Sequence, residues 1–150
     1  MKISSLSDLE KIANNIKKAV LPGDSIFLYG EIGVGKTTFA RMLINNYELE
    51  NKIKKSEVLS PTFNIVFEYD IKDFTIKHYD LYRLKNEADI KNIGLFENSD
   101  RSIILIEWPK LIKKKPLNRI DLFFEYTEDM NQRSLNIKTS GRLKSYEFKL

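Results

Sequence analysis

Cysteine is absent from the 150-residue chain, so neither a disulfide nor a thiolate metal site is available to it. The single histidine, His78, has no second imidazole with which to share a metal ion. Arginine is scarce, six residues against 19 lysines, and the six are scattered singly. An arginine-bearing lid of the kind small-molecule kinases close over phosphates therefore has little to be built from. No apolar run approaches the roughly 20 residues needed to span a bilayer. The opening Met-Lys-Ile-Ser-Ser-Leu-Ser-Asp holds no apolar stretch of signal-peptide length, so the expected location is the cytoplasm, without a membrane partner. Internal repeats and low-complexity segments are missing as well.

What remains is an ordinary soluble composition, 42% hydrophobic and 31% charged. The length fits one domain, 1–150, and a chain of that size buries about 68–70% of its unfolded surface, enough for a core without metal or disulfide support. The net charge of +4 and pI of about 9.1 would suit RNA or an acidic protein. The lysines are spread along the chain, however, and the clusters Lys52/Lys54/Lys55 and Lys113–Lys115 fit solvated loops or helix faces. Charge selects no function here.

Periodicity organises the rest. Leu9, Ile12, Ala13, Ile16 and Val20 recur at helical spacing, and Ser7 with Glu10 has the spacing of a capping box, which predicts a helix over Asp8–Val20. Pro22-Gly23-Asp24 breaks it. Ser25–Tyr29 is an apolar run of buried-strand length, and helical spacing resumes from Lys36 to about Tyr47. Phe63–Tyr69 and Phe74–Tyr79, separated by Asp70-Ile71-Lys72-Asp73, predict a hairpin. A short helix over Glu87–Ile93 should end at Gly94. Ile103–Ile106 is a second buried strand, followed by strands near Arg119–Tyr126, Ser134–Lys138 and Tyr146–Leu150. The expected fold is α/β, of the P-loop NTPase type: a mixed β-sheet with flanking helices and C-terminal antiparallel strands.

Between the first strand and second helix stands Gly30-Glu31-Ile32-Gly33-Val34-Gly35-Lys36-Thr37, the pattern of a phosphate-binding P-loop. It fixes four positions, so a chance match in a chain this long falls below about 1% at ordinary residue usage. In such a loop successive backbone N–H groups curl around phosphates at a helix N-terminus, and the helix dipole adds positive charge. Glu31, Ile32, Gly33, Val34, Gly35, Lys36, Thr37 and Thr38 are therefore the expected nucleotide-binding residues, with Lys36 on the β- and γ-phosphates and the Thr37 hydroxyl on Mg²⁺. An acid at the end of a neighbouring strand should complete the magnesium shell. Glu107, after Ile103–Ile106, has the Walker-B position; Asp80, which ends the strand containing His78, is a second candidate. Trp108 is open to stacking on a base or ribose, or to packing in the core. Thr62, after Pro61, sits in a loop able to swing toward the γ-phosphate. Neither Asn/Thr-Lys-x-Asp nor Asp-x-x-Gly occurs, so ATP is expected rather than GTP. An ATP-hydrolysing enzyme, a small-molecule kinase and a nucleotide-gated binding module all stay open at this point.

Five blocks together narrow the choice: Gly-Glu-Ile-Gly-Val-Gly-Lys-Thr-Thr (30–38), Ser-Pro-Thr-Phe (60–63), His-Tyr-Asp-Leu-Tyr-Arg (78–83), Gly-Leu-Phe-Glu (94–97) and Ile-Glu-Trp-Pro (106–109). In order and spacing they resemble the TsaE family, the small bacterial ATPases of tRNA threonylcarbamoyladenosine synthesis. The likeness spans nearly the whole chain, is looser near Gly141-Arg142, and departs from the common Asp-Leu at Glu31-Ile32. It implies ATP and Mg²⁺ as cofactors and slow hydrolysis by the protein alone. It also implies a protein partner, the TsaB–TsaD pair, which transfers the threonylcarbamoyl group, with tRNA reached indirectly through that complex. By the same resemblance Lys36 and Thr37 are the phosphate and magnesium residues, Asp80 and Glu107 are the acidic pair, Thr62 lies in a switch-like loop and Trp108 falls beside the nucleotide. Lys36, Asp80 and Glu107 are then the expected catalytic residues and Thr37 and Glu107 the expected metal residues, with the choice between the two acids at the magnesium shell open. His78 becomes a motif member without an assigned chemistry.

Overall fold

The computed structural model of the chain describes residues 1–148. One seven-stranded sheet carries everything else: β1 (Lys2–Ile3), β2 (Ser25–Tyr29), β3 (Val66–Ile71), β4 (Phe74–Asp80), β5 (Ser102–Glu107), β6 (Arg119–Tyr126) and β7 (Arg133–Ser140). Their spatial order is β1-β7-β6-β2-β5-β4-β3. The four central strands, β6, β2, β5 and β4, run parallel, and the outer pairs β3–β4, β6–β7 and β1–β7 are antiparallel. This is the expected mixed α/β sheet with antiparallel strands toward the C-terminus.

The central strands are apolar without alternation because both faces are covered. Ile26 and Leu28 of β2, with Ile103 and Leu105 of β5, point into a core shared with α1 (Leu6–Ala19) and α2 (Lys36–Glu50). Their neighbours Phe27, Ile104 and Ile106 point the other way, under Leu95 and Ile112, close to α3 (Glu87–Asn92). The two long helices are tied side by side: Asn46 donates to Asn14 at 3.1 Å, and the Tyr47 hydroxyl to the Lys17 carbonyl at 3.2 Å.

Several boundaries differ from expectation for identifiable reasons. The first helix begins at Leu6, and its capping box is Ser5 with Asp8 rather than Ser7 with Glu10: Asp8 N–H donates to Ser5 Oγ and Ser5 N–H to Asp8 Oδ2, each at 3.1 Å. The unforeseen strand β1 holds the preceding residues extended, so the helix starts as soon as that strand ends. α2 runs one turn past Tyr47 because buried Glu48 accepts from the Ser56 amide and hydroxyl. The hairpin strand starts at Val66 rather than Phe63, since the Ile65 amide closes a turn on the Pro61 carbonyl at 2.6 Å. The last expected strand does not form over 146–148: the chain turns through Gly141–Ser145 and lays Tyr146 and Phe148 against the α1/α2 core. The final two residues of that expected strand lie outside the described residues.

Candidate nucleotide-binding site

Most of the expected site residues gather at the C-terminal ends of the parallel strands, where α/β sheets open their crevices. β2 delivers the chain into the loop at Gly30, whose φ of +140° and close approach to β6 admit no side chain: a Cβ there would lie 2.6 Å from the Phe124 carbonyl oxygen. Buried Val34 roots the loop in the core, and Tyr126 Oη donates to the Ile32 carbonyl at 2.8 Å. The loop ends at Gly35, the left-handed N-cap of α2, where a Cβ would meet open space. The helix thus presents its first N–H groups to the cleft without a capping side chain.

Lys36 folds back over this loop. Its Nζ donates to the Gly30 and Glu31 carbonyls at 2.7 and 2.8 Å and lies 4.1 Å from the centroid of the Trp108 ring. Burial depresses the Lys36 ammonium below its ordinary range, while the carboxylates of Glu107 and Asp80 partly hold it up. A positive group so placed is short of negative partners, which a phosphate would supply.

Strand register fixes the acids. Glu107 pairs with Leu28 on one side and Asp80 on the other, so both carboxylates end adjacent strands beside the loop, and both are buried. Glu107 accepts from the Thr37 hydroxyl at 3.0 Å to each oxygen, and its Oε1 lies 2.8 Å from His78 Nε2. Asp80 Oδ2 accepts from Ser60 and Thr62 at 2.5 and 2.9 Å, and Oδ1 accepts the Tyr82 amide at 2.9 Å. Trp108, with φ of +59°, stacks obliquely on Tyr82 at 4.8 Å.

The resulting cleft has a volume of about 390 Å³ and brings together Ile32, Gly33, Gly35, Lys36, Thr37, Thr38, Thr62, Asp80, Glu107 and Trp108. Of the expected residues, Glu31 and Val34 stand outside its lining, one exposed and the other buried beneath the loop. Ser60 and Tyr82 also line it, although only their motif blocks drew notice in the sequence. A second recess of about 340 Å³ shares Gly33, Gly35 and Thr38 with the first and continues to Ser4, Ser5, Leu6, Asn131 and Arg133, none of which carries a sequence signal.

The donor set fits a magnesium nucleotide better than a bare ion. Among the described residues no group of three or more acidic, histidine or cysteine side chains is arranged to hold a metal. A magnesium ion at Thr37 and Glu107 would need phosphate oxygens and water to fill its six positions.

The family model described as "Threonylcarbamoyl adenosine biosynthesis protein TsaE" matches residues 3–135. The chain belongs to the TsaE family. It is 36% identical to the tRNA threonylcarbamoyladenosine biosynthesis protein TsaE of Rickettsia conorii, over 99% of this chain and 82% of that protein. The TsaE protein of Bacillus subtilis is 30% identical over 80% of this chain and 72% of its own length. The crystal structure of Bacillus subtilis YdiB shares the fold, with a TM-score of 0.67 over 94% of this chain and 84% of the other, at 24% identity. TsaE membership agrees with the five motif blocks, four of which contribute residues to the cleft or its immediate supports. Among the described residues no helix is long and apolar enough to cross a membrane.

Proposed function

We propose that this TsaE-family chain binds Mg-ATP in the P-loop cleft, hydrolyses it slowly, and thereby supports threonylcarbamoyl modification of tRNA adenosine by a TsaB–TsaD complex in the cytoplasm. The observation that carries this reading is the convergence of the Lys36 ammonium, the Thr37 hydroxyl and the Glu107 carboxylate at the open N-terminus of α2. Loop amides and Lys36 would hold the β- and γ-phosphates, with Lys36 leaving the Gly30 and Glu31 carbonyls for the anion. Thr37 and Glu107 would hold the magnesium shell; the ion, when bound, neutralises charge on the β- and γ-phosphoryl oxygens. The recess beyond Thr38 would take ribose and base, since it is the direct continuation of the phosphate cradle. Trp108 would flank the phosphates, because its ring carries Lys36.

Asp80 would order the Ser60–Thr62 segment over the γ-phosphate and, through it, the attacking water. Asp80→Ala releases three donors from their acceptor. It is expected to bind Mg-ATP within about threefold of the parent yet hydrolyse it at least about tenfold more slowly. Amide exchange over residues 60–65 should accelerate about tenfold or more, the loss of one buried hydrogen bond's worth of local stability. Hydrogen–deuterium exchange read by mass spectrometry checks the second outcome independently of activity.

None of the six arginines lines the phosphate cleft, and Arg133, which lines the adjoining recess, donates to the Met130 and Gln132 carbonyls. Arg41 is spent on the Val58 carbonyl at 3.2 Å, Arg119 on Asp121 and Arg142 on Asp24. Phosphoryl transfer without a guanidinium on the developing charge is slow, and an in-trans contribution is worth 10³–10⁵ in other NTPases. Hydrolysis is therefore expected to be low for the chain alone and to rise several-fold with the TsaB–TsaD pair. Following the γ-phosphate of labelled ATP with and without those partners tests this. Label on a small-molecule acceptor would turn the reading toward a kinase, and free phosphate indifferent to the partners would remove the partner assignment.

A further inference from the structure

We propose that His78 is a positioning residue that fixes the Glu107 carboxylate for the magnesium shell. This inference rests on the Mg-nucleotide reading of the cleft. His78 faces Leu105 across the β4–β5 ladder, so its imidazole and Glu107, two residues further along β5, are diagonal neighbours. The histidine is fully buried and Glu107 nearly so. Nε2 lies 2.8 Å from Oε1, and a carboxylate offers only lone pairs, so Nε2 carries the proton and donates it.

The contact divides the carboxylate. Oε1 is held by His78 from behind as well as by Thr37, whereas Oε2 is held by Thr37 alone. Once the Thr37 hydroxyl turns toward a metal, His78 is the one hydrogen-bond partner left to the Glu107 carboxylate among the described residues. The imidazole, locked in a packed strand, keeps the carboxylate plane in place and leaves Oε2 directed at the cleft. Supporting groups of this kind typically govern metal affinity by 10–100-fold.

Packing does not account for the ring. Among the described residues His78 Nδ1 is buried without a protein hydrogen-bond partner, an arrangement that costs about 1–3 kcal/mol. A leucine of similar volume would fill the space without that cost. The other ring nitrogen has one partner, the acid beside the P-loop threonine.

Because His78 is the only histidine, its ring nitrogens can be assigned in the intact protein by long-range proton–nitrogen NMR without ambiguity. A proton on Nε2 is expected, protected from solvent exchange; a proton on Nδ1 alone would overturn the proposal. Two variants then test the consequence. In His78→Leu the gain in ATP affinity that Mg²⁺ confers should shrink about tenfold, while affinity for ATP in EDTA stays within about twofold. In His78→Gln, which restores an amide N–H at comparable reach, the magnesium effect should return to within about threefold of the parent. A magnesium effect unchanged in His78→Leu would overturn the proposal, as would a loss in His78→Gln equal to that in His78→Leu. Failure of the unaltered protein to bind ATP in either condition would instead remove the nucleotide reading, recognisable because the NMR signature of the His78–Glu107 bond would persist.

Discussion

Lys36→Ala is expected to lower the rate of ATP hydrolysis at least about 100-fold, equivalent to about 2.7 kcal/mol of transition-state stabilisation. Among the described residues the ammonium is the one positive side chain lining the cleft, and in the proposed reading it meets the charge that develops on the transferring phosphoryl. Its present partners are two backbone carbonyls and an aromatic face, interactions that a phosphate would replace with a full negative charge. The free protein is not expected to lose stability with the lysine. Burial disfavours the charged form of Lys36, so the folded chain carries a cost for it that alanine removes. A linked pH effect has a definite sign. Because the folded-state value is depressed, the cost is fully present below that lowered value and fades as pH rises through it toward the ordinary lysine range. Thermal melts of the parent and Lys36→Ala should therefore differ least under alkaline conditions. A variant that hydrolyses ATP normally, or that melts well below the parent, would contradict this role.

Glu107→Ala is expected to have two separable effects. The first is on metal: affinity for Mg-ATP should fall at least about tenfold, with affinity for metal-free ATP nearly unchanged, because the carboxylate lies against Thr37 and touches no loop amide. The second is on the fold. Removing the acceptor leaves His78 with both ring nitrogens without a protein partner in a buried site, at a cost of about 1–3 kcal/mol, or about 2–12 °C in Tm for a chain of this length. Glu107→Gln separates them. Its carbonyl oxygen can still accept from His78 Nε2, so Tm should recover toward the parent, while the lost charge keeps the magnesium effect. If both variants melt alike, His78 does not depend on Glu107 as an acceptor; if Glu107→Gln binds Mg-ATP like the parent, the charge is not what serves the metal.

The parts of this site legible in the sequence are those set by local pattern. The P-loop declares itself because glycines, lysine and threonine must stand at fixed offsets between a strand and a helix, and the chain forms that strand–loop–helix at 25–50. Glu107 and Asp80 were visible as acids ending apolar runs. What they touch was not, because their contacts depend on register between β4 and β5 and on a segment that arrives from 60–62. The His78–Glu107 contact is of the same kind: the two residues are 29 apart and meet only through strand pairing. β1 has two residues and derives its strand character from pairing Lys2 with Ser134 and Ile3 with Arg133 of β7, so no window of sequence announces it. The helix start failed for a different reason. Ser5/Asp8 and Ser7/Glu10 both satisfy the capping spacing, and the choice is made by that same non-local strand.

The central claim, that the cleft holds Mg-ATP, is tested most directly by titrating the intact chain with nucleotide while following its thermal melt. Saturable binding of one ATP per chain is expected in the presence of Mg²⁺, with a smaller shift for GTP. A ligand bound only to the folded state adds about 2.7 kcal/mol at 100 times its Kd, a rise in Tm of about 5–11 °C at this size. Equal shifts with ATP and GTP would contradict the base preference, and no shift with any nucleotide would contradict the claim itself.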